Sequence, residues 1–436
     1  MQNPVPRLVT AHTGPLLSLE TRLLERTTDI EAWFRRQWQS TPPPFYSSVD
    51  LRNAGYKLAP VDTNLFPGGF NNLNDTFESL CVQALKTALQ RVCPSAQGLV
   101  LVPENHTRNP YYLESVATLF GLIQKAGYRV HIGSLIPDLT EPREITLELS
   151  GRTLLLEPLL REGDTVRVAD FTPCAVLLNN DLSGGVPPIL QGLRQDVLPP
   201  VGLGWHARKK SQHFGFYRET ARELAEVLAL DPWLIDPMFR NCGQINFMKR
   251  EGEECLISNV ELLLNDLREK YREYDIPHDP FVIVKSDAGT YGMGVMTARS
   301  ADDVREMNRR ARSHMASAKD GSEVTGAIIQ EGVPTFERLG TDQAAAEPVV
   351  YMIDQFVVGG FYRLNSRRGT DENLNAPGMR FEQLAFDQCC GHPDPDAGPD
   401  ERPNRFYAYG VIARLAALAA AREVQAVAEL VPAAAA

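Results

Sequence analysis

The chain has 436 residues, 43% of them apolar and 23% charged, which is ordinary for a globular protein and long enough for two or three domains. Its formal net charge of −11 argues against binding dominated by nucleic acid or an anionic membrane, since both reward a basic face; a local basic pocket for a polyphosphate stays open. Seven cysteines without a CxxC spacing, most of them in apolar stretches, read as reduced buried thiols, and with no basic-then-apolar leader pattern the chain reads as cytoplasmic.

Apolar residues at helical intervals predict a helix over residues 16–40, stopped by Pro42-Pro-Pro44. Residues 48–72 are crowded with polar groups, prolines and glycines. They read as an ordered loop presenting Asp50, Arg52, Lys57, Asp62, Asn64, Asn71 and Asn72 to something polar and zwitterionic. The other reading is a connector whose Asn and Asp side chains satisfy their own turns. A helix over 75–92, a buried strand over 98–103, a helix to about 126 and a strand over 127–133 form a βαβ unit, which implies a parallel sheet. Ligands of such sheets sit beyond the carboxyl ends of the strands. Glu104, His106, Arg108 and Asn109 fall there, as do Asn180 and Asp181 at the tip of a strand over 173–178. Arg208-Lys209-Lys210 is the concentrated basic patch, either a solvated helix face or a phosphate contact. Helices over 217–229 and 258–274 follow.

Phe281 to Val284 is a short β-branched run, and Lys285 ends it. The loop Gly289-Thr290-Tyr291-Gly292-Met293-Gly294 comes next, and Val295 resumes strand character. Walker and dinucleotide loops lead into a helix whose N-terminus holds the phosphate. A glycine hairpin lying over a triphosphate, with Lys285 beneath, fits this order better; an ordinary hairpin with permissive glycines is the alternative. A basic helix over 302–315 and a buried strand over 327–333 follow, the latter carrying Gln330 and Glu331 where an adenine needs one donor and one acceptor. Two strands joined by a tight turn lead to Arg363 and a broken loop over 365–378, in which Glu372, Asn373 and Asn375 offer hard oxygen ligands suited to Mg²⁺. A Pro- and Asp-rich stretch over 387–405 precedes a closing Ala/Leu helix, read as part of the fold because charges interrupt it.

This order resembles the ATP-grasp superfamily. The run Arg363-Leu-Asn-Ser-Arg-Arg-Gly-Thr-Asp-Glu-Asn373-Leu-Asn-Ala-Pro-Gly378 resembles the bacterial glutathione synthetase loop that ends in Asn-Leu-Ala-Ala-Gly-Gly. More closely, Val49-Asp-Leu-Arg-Asn, Ala59 to Asn72, Pro103 to Asn109, Lys285 to Val295 and Val349 to Gly378 are similar to the proteobacterial ATP-grasp type of glutamate–cysteine ligase. The resemblance implies an α/β (α+β) fold in which a Rossmann-like βαβ pre-ATP-grasp domain precedes an ATP-grasp domain. The expected units are 1–200, a linking region 201–280, and 281–436. It also implies ATP and Mg²⁺ as cofactors, L-glutamate and L-cysteine as substrates, and the first step of glutathione synthesis. Lys285 and Arg363 would be catalytic. The glycine loop, Gln330, Glu331, Lys209 and Lys210 would hold ATP. The 50–72 side chains with Arg108, Asn109, Asn180 and Asp181 would hold substrate. Neither nucleic acid nor membrane is an expected partner, and a homo-oligomer is left open. One departure stands out: no Glu-x-Asn metal pair follows residue 378, because Glu382 is followed by Gln383 and Leu384. Two rival readings are a ligase of the same type with another acceptor amine, and a non-catalytic nucleotide-binding module.

Overall fold

The computed structural model describes residues 10–12, 14–94, 98–105, 109–289, 294–316, 324–384 and 405–430. The first half contributes α1 (Ser18–Glu25), α2 (Thr27–Ser40), β1 (Tyr46–Asn53), β2 (Leu58–Asn64), α3 (Glu78–Val92), β3 (Gly98–Pro103), α4 (Pro110–Lys125) and β4 (Arg129–Ser134). Then come β5 (Arg143–Thr146), β6 (Thr153–Pro158), β7 (Leu160–Glu162), β8 (Thr165–Arg167), β9 (Ala175–Asn179), β10 (Asp196–Leu198) and α5 (Lys210–Leu228). The second half holds β11 (Phe239–Cys242), α6 (Glu253–Glu273), β12 (Val282–Ser286), β13 (Val295–Ala298), α7 (Asp302–Arg305), α8 (Arg309–Met315) and β14 (Ala327–Glu331). It closes with β15 (Arg338–Leu339), β16 (Ala344–Ile353), β17 (Phe356–Asn365), β18 (Arg380–Gln383) and α9 (Phe406–Leu430).

Three sheets organise the mixed α/β chain. The expected parallel sheet is present, in the order β10-β9-β3-β4-β6-β5, with only β5 antiparallel. Its central strands β3 and β9 are buried along their whole length, as a sheet covered on both faces requires. A second, antiparallel sheet runs β18-β17-β16-β1-β2, so residues 46–64 pair with a strand some 300 positions later. A third, β11-β14-β12-β13, packs on α6 over its own small core. The run read as apolar and helical near the C-terminus is α9, wholly buried from Ala408 to Ala421 apart from Arg414 and packed against α5 and the strands of the second sheet. Among the described residues no helix is long and apolar enough to cross a membrane.

Four expectations need correction. Residues 46–64 are not a loop but the β1–β2 hairpin. Pro60 is tolerated because β2 lies at the sheet edge and a register shift falls between Asp50 and Leu51, opposite it. The helix expected from 217 starts at Lys210, because a distant residue, Asp287, caps it. The 302–315 helix is two short ones, the second begun by Asn308, whose side chain accepts from the Ala311 N–H. Finally, Cys93 and Cys174 stand side by side, with Cα atoms 5.9 Å apart, a separation that suits a disulfide, so the cysteines are not all isolated thiols. His106, Arg108, Thr290, Tyr291, Gly292 and Met293 lie outside the described residues, as do Cys389 and Cys390.

Candidate active site

The second and third sheets face each other across a cleft holding about 880 Å³ of empty space open at its mouth. Strand alternation decides what each wall presents. On β12, Val282 and Val284 enter the small core while Ile283 and Lys285 face the cleft. On β1, Val49 and Leu51 enter the main core while Asp50 and Arg52 face the cleft. Glu347 on β16 stands directly opposite Arg363 on β17, and both line the same cleft. Phe281, Ile283, Val295 and Val333 form its apolar part, beside Gln330 and Glu331. Gly332 keeps that part open to Phe281, since a Cβ there would lie 2.1 Å from the ring. Asp371, Glu372, Asn373 and Asn375 line it from the 365–378 loop.

The polar wall is a ladder of alternating charge. Arg363 donates to Asp50 and to Glu347, each at 2.7 Å, and Arg52 donates to the other Glu347 oxygen at 2.6 Å. Arg52 also donates to the carbonyls of Thr370 and Glu372, at 3.0 and 2.7 Å, and so ties the 365–378 loop to the sheet. Burial works to raise the Glu347 carboxyl, but the two arginines outweigh it and hold it below the usual range. Burial keeps Asp50 above its usual range against the pull of Arg363. Gln330 Nε2 and Arg363 Nε are buried without a partner among the described residues.

Two lysines share the opposite corner. Lys285 donates to the Val61 carbonyl at 2.8 Å, and Lys210 donates to the Gly289 carbonyl with its ammonium 4.3 Å from the centre of the Trp205 ring. Burial lowers the pKa of Lys285, and brings that of Lys210 down to about 8, in both cases against Asp62. Asp62 answers in kind: burial would raise it, but Lys210, Lys285 and Arg208 hold it low. Asp287 fixes this corner by accepting from Ser211 N and Oγ, both at 2.7 Å, while its carbonyl accepts from Lys210 N. Replacing Asp287 with alanine should remove the α5 cap, cost about 1 kcal/mol and lower the melting temperature by about 1 °C in a thermal scan.

Behind the cleft, Arg208 makes a bidentate pair with Glu423 of α9 at 2.9 and 3.0 Å and also donates to the Thr63 carbonyl, so the start of α5, β2 and α9 are locked together. Burial would raise the Glu423 carboxyl; Arg208 and His213 reverse this and pull it down to about 2. A carboxyl lowered from its ordinary 4.5 stabilises the fold above that pH and loses the effect as pH falls toward 2. The difference is about 3 kcal/mol, roughly 2 kcal/mol of which is gone by pH 3. Urea unfolding at pH 7 and pH 3 should therefore show a smaller pH dependence for Glu423→Gln, by about that amount.

The cleft thus brings together Asp50, Arg52, Asp62, Lys210, Lys285, Gly289, Gln330, Glu331, Arg363, Glu372, Asn373 and Asn375. Other residues singled out in the sequence stand elsewhere. Lys57 is buried behind the floor, bonded to Glu331 and the Asp236 carbonyl, both at 2.8 Å, because a lysine under the sheet needs a fixed anion. Lys209 is exposed. Asn64 bonds to Phe66 N in its own turn, and Asn109 caps α4 through Tyr111 N and Tyr112 N. Asn180 donates to the Pro103 carbonyl and Asp181 N to Glu104, stitching strand tips to one another. Asn71 and Asn72 line a separate surface cleft with Tyr111 and Arg152. Two residues of the cleft region escaped sequence reading. Glu347 had a usable signal, a lone carboxylate in the apolar run 344–353; Asp287 had none, since its role depends on a helix 76 residues earlier.

Among the described residues no three His, Cys, Asp or Glu side chains converge to hold a metal ion. Glu372 is engaged by Arg368 and by Gly369 N, and Asn373 accepts from Asn375 N at 3.0 Å.

The sequence profile of the family described as "GshA: Glutamate-cysteine ligase" matches residues 20–424. The 1.90 Å crystal structure of a Methylobacillus flagellatus KT protein, provisionally named a gamma-glutamylcysteine synthetase, is similar at 55% identity with a TM-score of 0.85, covering 97% of this chain and 99% of that one. A glutathione synthetase-like effector from Globodera pallida (8% identity, TM-score 0.38, 84% of this chain and 80% of that one) and D-alanyl-alanine synthetase A from Vibrio cholerae (9%, 0.29, 66% and 74%) are too distant to carry an argument. No curated protein matches the chain by sequence.

Proposed function

The chain belongs to the glutamate–cysteine ligase family, and from this premise we propose that the cleft between the second and third sheets is where ATP drives the joining of L-glutamate to L-cysteine. The chain is an enzyme, a ligase of glutamate and cysteine. The observation that carries the site reading is the meeting of Lys285, Lys210 and Arg363 with an apolar slot in one cleft of an acidic chain. The reading includes an ATP-grasp arrangement, a cytoplasmic setting and ATP with Mg²⁺.

A carboxylate is a poor electrophile, so the γ-carboxyl of glutamate needs a leaving group before the cysteine amine can attack it. Phosphoryl transfer from ATP gives an acyl phosphate, and the ligation releases ADP and phosphate. Such transfer rests on positioning and charge neutralisation. In this reading the apolar slot takes the base beside Gln330 and Glu331, the last two residues of β14. Lys285 and Lys210 bind phosphate oxygens under the glycine hairpin. Arg363, held in place by Asp50 and Glu347, meets the transferred group. Arg52 orders the 365–378 loop, so its loss should raise the KM of glutamate and of ATP together. Mg²⁺ usually takes one or two carboxylates with phosphate oxygens and water around it. Glu372, Asn373 and Asn375 are the oxygen donors that would hold it. Bound there, the ion would neutralise phosphate charge.

The test is ADP release by purified protein given ATP, Mg²⁺ and L-glutamate, with and without L-cysteine, and the product weighed by mass spectrometry. Cysteine-dependent ADP and a γ-glutamylcysteine mass are expected. Release with another amine but not with cysteine would move the substrate, and ATP binding without turnover would overturn the reading.

A further inference from the structure

The third sheet carries two thiols poised on each other. Cys242 ends β11 and is buried, Cys255 lies in the first turn of α6 and is exposed, and their Sγ atoms are 3.2 Å apart. Asn259, one turn further along α6, lies with its Nδ2 3.4 Å from Cys255 Sγ and 3.6 Å from Cys242 Sγ, and donates to the Cys255 carbonyl at 2.9 Å. The sulfurs need to close by only about 1 Å to reach the bonding distance of roughly 2.05 Å. Neither residue lines the cleft, and the ligation uses neither.

We propose that Cys242 and Cys255 are a thiol–disulfide exchange site whose oxidant is a small-molecule disulfide. The choice of oxidant rests on the function given above, since that reaction makes a small thiol, γ-glutamylcysteine, whose oxidised form is such a disulfide. The exposed Cys255, as thiolate, attacks one sulfur of the small disulfide. Its S–S bond breaks, one small thiol leaves and takes a proton, and Cys255 carries a mixed disulfide. Cys242 then loses its proton and attacks Cys255 Sγ, releasing the second small thiol. Two protein thiols become one disulfide, and the two electrons reduce one small disulfide to two thiols. Burial pushes the Cys242 thiol up to about 12, which keeps it the second, resolving partner. The bond would tie β11 to α6 beside the strand pair that carries Gln330 and Glu331 into the cleft.

The experiment treats the full-length protein with the disulfide of γ-glutamylcysteine, blocks remaining thiols and maps tryptic peptides. Cleavage after Lys249 and Arg250 places the two cysteines on separate peptides. The expected result is a cross-linked pair of those peptides, two hydrogens lighter, with alkylation of Cys255 slowed more than tenfold and restored by dithiothreitol. In Cys242→Ser the reaction should stop at a mixed disulfide on Cys255. A wild-type protein that also stops there, or whose Cys255 stays fully alkylatable, would overturn the proposal. Because the readout is a peptide mass, it fails or succeeds independently of turnover.

Discussion

Lys285→Met is expected to lower turnover by about ten- to a hundredfold while leaving the fold intact. A charge-assisted hydrogen bond is worth about 1.5–3 kcal/mol, and each 1.4 kcal/mol is tenfold in rate. The fold should survive because, among the described residues, Lys285 Nζ gives the protein a single hydrogen bond, to the Val61 carbonyl. Saturating-ATP kcat and a melting curve check both halves; near-normal turnover would remove Lys285 from the mechanism. A second readout comes from Lys210. Its pKa lies at about 8, with burial as the main cause and Lys285 among the groups that lower it. Wild-type activity should therefore fall as pH rises through about 8, where Lys210 loses its charge. In Lys285→Met that fall should move to higher pH.

Glu347→Ala should be the most destabilising single change in the cleft. Glu347 is 3% exposed and stands between two guanidinium groups, that of the buried Arg52 and that of Arg363. Removing the shared anion leaves both with less compensation, at a cost of about 3–5 kcal/mol. The melting temperature should drop by about 3–5 °C. Glu347→Gln, which keeps the shape and can still accept a hydrogen bond, should lose less. Removing the exposed Asp342, which pairs with Arg380 at the surface, should leave the melting temperature unchanged within error. Equal losses for Glu347→Ala and Asp342→Ala would mean that the ladder does not hold the two sheet strands in register.

Much of this architecture is legible in local pattern. The βαβ unit showed because fully buried strands read as apolar runs and the intervening helix as a 3.6-residue repeat. The hairpin around Lys285 showed because strand alternation and glycine spacing are short-range signals. The β1–β2 hairpin did not show, although Asp50, Arg52 and Asp62, three of the polar residues singled out in it, line the cleft. Its strand character comes from pairing Asp50 with Val349 and Tyr46 with Ile353, which no window around residue 50 contains. The same holds for Arg208: its sequence neighbours are basic, yet its partner is Glu423, and the pair is buried.

The sequence by itself determined the family and the order of the strands and helices along most of the chain, because these rest on spacing along the chain. Only the tertiary structure decided which polar residues share the cleft. Lys210, Asp62 and Glu347 arrive there from three separate elements, while Lys57, Asn180 and Asp181 are spent on holding strands and floor together. The physical reason is that a buried charge must find its counter-charge in space, and strand pairing between residues 46–64 and 344–365 sets which charges are near.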